Sequence, residues 1–130
     1  MLISLATALL SSSGVAVDCN GNAPDRTGSV MRGFVREVLD GDTLCIGAGA
    51  DRDTWVAVTL TDVDAPELPQ TGGRAARTVL SRATLNQPIV CVVRPTPPNR
   101  REEEGARFAI CTVRGVGVGD LISGTEPSGR

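Results

Sequence analysis

Two acidic turns carry the residue types from which a reaction centre is most readily built. Asp40-Gly41-Asp42-Thr43 and Val63-Asp64-Ala65-Pro66-Glu67 each follow a run that alternates like a β-strand. Each therefore presents carboxylates where a strand ends. Oxygen donors gathered from two strand ends suit a hard cation such as Ca2+. Glu67, just past those donors, is placed to act as general base on a water beside the cation. Together the turns point to metal-assisted hydrolysis rather than covalent catalysis. Taken singly, each aspartate is equally suited to capping a turn.

Composition removes several alternatives. The chain of 130 residues has no His, which excludes His-based triads, His metal sites and His general bases. All 13 basic residues are Arg, and the net charge of −2 gives no general attraction to nucleic acid, so phosphate affinity must be local. At 41% hydrophobic residues the length suits one domain with one core. The aromatic residues are Phe34, Trp55 and Phe108, with no Tyr; Trp55 and Phe108 read as core.

The N-terminus is apolar from Met1 to Leu10 and passes into Ser11-Ser12-Ser13-Gly14-Val15-Ala16. The run is too short to span a bilayer and reads as a secretory signal over residues 1–16, which implies a secreted or periplasmic protein. Four cysteines fit an oxidising compartment, and the lack of CxxC and His argues against zinc. Cys91 and Cys111 lie in neighbouring antiparallel strands and face the same way. A bridge between them closes a loop of about twenty residues, a constraint of roughly 3 kcal/mol. Cys19 with Cys45 is the remaining pairing. In a reducing compartment all four would instead be buried thiols.

The elements that must position the turns are short. Residues 17–29, rich in Asn, Gly, Pro and Asp, form a linker. Strands are expected at Val30–Leu39, Thr43–Ile46 and Trp55–Asp62, with a hairpin at Asp40-Gly41. A helix is expected over Arg74–Asn86, with Ala75, Val79, Leu80 and Ala83 on its apolar stripe. Strand four begins at Pro88, and strand five covers Phe108–Val113 after a long polar loop. Five strands with a helix between the third and fourth make an α+β, mainly β fold, a small OB-type barrel over residues 30–122. Residues 123–130 read as a tail.

These residues also carry a resemblance. "VREVLDGDTLCI", "VTLTDVDAPEL", a Gly/Ala/Arg-rich helix, "IVCVV" and "GARFAICTV" occur in that order. The arrangement resembles the thermonuclease family of staphylococcal nuclease-like domains. The resemblance implies a Ca2+-dependent phosphodiesterase that cuts single-stranded or unpaired DNA or RNA. It implies that Asp42, Asp64 and the Ala65 carbonyl hold the metal. Glu67 would orient or deprotonate the attacking water, and Arg107 or another arginine would clamp the phosphate.

The departures from the family pattern are equally specific. Thr59 stands five residues before Asp64, where active relatives carry an arginine. Loss of one such donor costs about 10²–10³ in rate. Ala106 occupies the place of the second arginine and Arg107 comes one residue late, so a bulge is needed to re-aim it. The nucleotide-stacking tyrosines are absent, and Glu102-Glu103-Glu104 would repel phosphate. Relatives continue into two further C-terminal helices, which residues 123–130, read as a tail, are not expected to form. The alternative is therefore a pseudonuclease, the same barrel used as a binding module.

Arg36 and Arg32 are the candidates to replace the arginine lost at Thr59. Arg74 and Arg77 read as a solvated helix face, Arg100-Arg101 as part of a charge-balanced loop, and Gly115–Gly119 as a turn.

Overall fold

Alternating β-branched and apolar residues build strands that close on themselves. A computed structural model describes residues 19–66, 68–100 and 105–124. The strands are β1 (Val30–Val38), β2 (Thr43–Gly47), β3 (Val56–Leu60), β4 (Pro88–Val93), β5 (Ala106–Val113) and the two-residue β6 (Val116–Gly117). The helices are α1 (Gly73–Thr84) and α2 (Val118–Gly124). The sheet order is β3-β2-β1-β4-β5-β6, and a parallel β3–β5 pairing closes the first five strands into a barrel. That closure runs from Ala57 opposite Ala106 to Leu60 opposite Ala109. The fold is the mainly β, OB-like barrel expected from the sequence, with its helix between β3 and β4.

The core follows strand parity, with one interruption. Val35, Leu44, Ile46, Val58, Leu60, Ile89, Cys91, Ala109, Cys111 and Val118 are at most 2% exposed and pack together. In β1 the register slips between Val35 and Glu37, a bulge at Arg36. The extra residue lets Val38, three positions after Val35, return to the core. A second cluster packs Cys19, Cys45, Trp55, Ala57 and Ala106, with the indole N–H of Trp55 bonded to Gly49 O at 2.8 Å.

Both expected disulfides are present, Cys91–Cys111 and Cys19–Cys45. Cys91 and Cys111 stand directly opposite each other in the β4–β5 ladder. Two disulfides point to an oxidising environment. No helix among the described residues is long and apolar enough to cross a membrane.

Element ends differ from the sequence reading for local reasons. β3 begins only at Val56, because Trp55 caps a short 3-10 turn over Arg52–Thr54. α1 stops at Thr84, two residues early, since Asn86 takes φ 66° and Pro88 opens the next strand. Leu80 and Thr84 are its buried residues beside Gly73, while Ala75 is exposed rather than on the apolar stripe. The glycine-rich stretch read as a turn forms β6 and the start of α2, which runs on through Ser123 and Gly124. The expected signal segment, residues 1–16, lies outside the described residues.

Candidate functional site

The Asp40–Thr43 hairpin and the segment after β3 are tied by the barrel itself. Leu39 N donates to Thr43 O at 2.8 Å, and Asp42 N donates to the Asp40 carboxylate at 3.1 Å, an Asx turn. Leu60 N then donates to Asp42 O at 2.8 Å, fastening the hairpin to the end of β3. Val63 is buried and anchors the next turn, leaving Asp64 exposed and Ala65 half-buried. Gly41, Asp64 and Ala65 line one cleft of about 340 Å³, with Ala76 and Val79 of α1 on its wall and Gly119 and Ile122 of α2 on its rim. The two acidic turns therefore meet.

Gly41 is required by that meeting. A methyl group there would lie 2.6 Å from Ala65 Cβ and 2.7 Å from Ala76 Cβ, closer than packed carbons allow. α2 is fastened to the opposite side, where Gly119 N donates to Asp62 Oδ2 at 3.0 Å.

The Asp42 side chain is spoken for. Its Oδ1 accepts from the Thr43 hydroxyl at 3.0 Å, and its Oδ2 accepts from Arg100 Nη2 at 2.7 Å. Burial, together with the bond to and charge of Asp40, pushes the Asp42 acid up from 3.8 to about 7. Thr43 and Arg100 pull the other way without cancelling that rise. The Arg100 guanidinium lies 4.9 Å from the centroid of Phe108 and reaches toward Leu60 O at 3.4 Å. Phe108 is the strand partner of Thr59, and Thr59 Oγ1 is 3.4 Å from Thr43 Oγ1. Arg100 thus delivers a cation, from the loop after β4, to the patch where residue 59 offers none.

The other arginines are engaged elsewhere. Arg36 donates to Gly47 O at 3.2 Å and Ala48 O at 2.7 Å and lies over the Phe34 ring. Arg32 lines a different pocket, with Phe34 and Pro88. Arg107 donates to Asp25, and the β3–β5 register passes through Ala106 and Arg107 without a bulge. Ala106 is buried against Trp55. Glu67 lies outside the described residues, as do Glu102, Glu103 and Glu104.

Asp42, Asp64 and the Ala65 carbonyl are hard oxygen donors of the kind Ca2+ accepts, with water completing the shell. Among the described residues, no group of three or more Asp, Glu, Cys or His side chains converges on one point. A cation taking Asp42 Oδ2 must displace Arg100.

Arg100 was not legible as a site residue, because its neighbours Arg101 and Glu102–Glu104 give the loop the look of a charge-balanced surface segment. Its proximity to Asp42 depends on barrel closure between strands far apart in sequence. A scan against models of known protein families finds no match for this chain, and neither does a search of curated proteins.

Proposed function

We propose that this chain is a secreted Ca2+-dependent phosphodiesterase that hydrolyses single-stranded or unpaired DNA or RNA. The observation that carries the reading is the contact of the two acidic turns through Gly41 and Ala65, with Asp64 on the cleft they line and Asp42, one residue beyond Gly41, paired with a guanidinium. Carboxylates supply hard donors and a proton acceptor, and the guanidinium supplies the charge complement that phosphoryl transfer requires.

In this reading Asp42, Asp64 and the Ala65 carbonyl hold the cation. When bound, Ca2+ polarises the phosphoryl oxygen and lowers the cost of charge there. Glu67 takes a proton from the attacking water as the new O–P bond forms. The opposite P–O bond breaks, and its oxygen leaves as a hydroxyl after taking a proton from solvent water. Arg100, now on Asp42 Oδ2, would neutralise charge on the equatorial oxygens in the role vacated at Thr59 once a cation held Asp42 in its stead. The cleft is shallow and shared by two helices, which suits an extended single strand better than a rigid duplex.

A second reading, a catalytically silent binding module, is favoured by one observation. Both Asp42 oxygens already have partners within the protein. The two readings separate on cleavage of a fluorescent single-stranded DNA by the oxidised chain, with Ca2+ and with chelator, beside Glu67→Gln. Calcium-dependent cutting lost in the variant supports the phosphodiesterase. No cutting by a folded chain supports the binding module.

A further inference from the structure

We propose that the groove between β1 and α1 is a track for the phosphate backbone of a single-stranded nucleic acid. The groove, about 810 Å³, is lined by Arg36 of β1 and by Arg74, Arg77 and Arg82 of α1. Glu37 is the one acidic residue lining it, and it is paired with Arg52 at 3.0 Å. The sequence of α1 contains three arginines and no acidic residue. In a chain of net charge −2, that is a local concentration of positive charge rather than a reflection of composition.

The arginines are held in two different ways. Arg77 spends its Nε on Val38 O at 3.0 Å, and Arg36 spends two donors on Gly47 O and Ala48 O. A guanidinium has five N–H groups, so each keeps donors for a second partner from a fixed position. Arg74 and Arg82 are exposed and pair with no carboxylate among the described residues. They lie two helical turns apart on one face, about 12 Å along the axis at 1.5 Å per residue. That length matches three to four nucleotides of a strand at roughly 3.4 Å each.

Position joins this groove to the cleft. Ala76 and Val79 of α1 face the cleft, whereas Arg74, Arg77 and Arg82 face the groove, so one helix separates them. Arg74 and Arg77 also border a smaller pocket with Leu68, Pro69 and Gly72, on the segment leading back to Pro66 of the cleft. A strand crossing the first turn of α1 reaches both. The inference rests on the nucleic-acid reading of the cleft and names where the substrate strand runs. Interactions of this type read phosphate rather than base, so binding is tolerant of sequence.

The test is anisotropy of a fluorescent oligo-dT strand titrated with the oxidised chain in chelator, over a series of salt concentrations. Wild type is compared with Arg74→Gln/Arg82→Gln and with a charge-matched control, Arg32→Gln/Arg114→Gln, in a separate pocket. Among the described residues no side-chain bond of Arg74 or Arg82 is lost, so the folded state is expected to be retained; circular dichroism checks this. The groove variant is expected to bind more than about tenfold more weakly, with a salt slope shallower by about 1.4, or ~0.7 for each phosphate no longer neutralised. The control is expected to keep the wild-type slope. Absence of wild-type binding, or equal loss in both double variants, overturns the proposal. Cleavage with Ca2+ reads the cleft separately. Cutting without groove dependence leaves the phosphodiesterase and removes the track, and groove-dependent binding without cutting does the reverse.

Discussion

Arg100 Nη2 and Asp42 Oδ2 form a 2.7 Å ion pair, with the guanidinium stacked on Phe108. Fifty-eight residues separate the partners in sequence. The pair stands where a cation bound between the acidic turns would compete with a guanidinium. Removing a charge from water is costly, and the pairing offsets that cost only while both partners remain.

Arg100→Gln is therefore expected to do two separable things. Cleavage falls by about 10²–10³, the usual cost of removing one donor to transition-state charge. The Ca2+ concentration needed for half-maximal thermal stabilisation falls as well, because the competitor for Asp42 is gone. A variant that needs more Ca2+ than wild type would mean that Arg100 supports the cation seat rather than contesting it. Thermal melts with and without Ca2+, beside initial cleavage rates, read both effects.

Asp42 also makes stability depend on pH. Its acid titrates near 7 in the folded chain against 3.8 ordinarily, so the folded state binds the proton more tightly. That contribution is fully present below about 4 and is lost as pH rises through about 7. The denaturant midpoint is expected to fall between these limits, with a smaller fall in Asp42→Asn. Midpoints that rise with pH in wild type alone would contradict this assignment.

Gly41→Ala tests the junction of hairpin, second turn and α1. The added methyl meets Ala65 and Ala76 at once, and overpacking of this kind costs about 1–3 kcal/mol. Lower thermal stability is expected, and Ala76→Gly on the Gly41→Ala background should recover part of it.

Cys91→Ser with Cys111→Ser opens a bridge spanning 20 residues in sequence. A loss of about 3 kcal/mol is expected from the freer unfolded chain. Urea melts of the oxidised double variant measure it, and wild type under reductant should shift by a comparable or larger amount, since Cys19–Cys45 opens too.

Strand alternation, the hairpin turn and the β-branched runs made the barrel legible, as did the cysteine parity of β4 and β5, because these signals are local. The bulge at Arg36 was not, since it shows only in the partner register. α2 was hidden by Gly115, Gly117 and Gly119, whose low helix propensity is overridden when Val118 packs fully buried in the core. Arg36 and Arg32, the arginines the sequence offered in place of the one lost at Thr59, proved to lie elsewhere: Arg36 is held by Gly47 O and Ala48 O, and Arg32 lines the pocket with Phe34 and Pro88.

By itself, the sequence determined which residue types are available: carboxylates at two strand ends, arginine as the sole basic residue, no histidine, and cysteines in facing strands. Those follow from periodicities of two and from chemistry that each residue carries alone. Tertiary structure decided which of these groups meet. The parallel β3–β5 seam, formed between segments nearly fifty residues apart, brings the loop bearing Arg100 over Phe108 and onto Asp42. Placing α1 across the barrel end divides an acidic cleft from an arginine-lined groove, a partition no local pattern encodes.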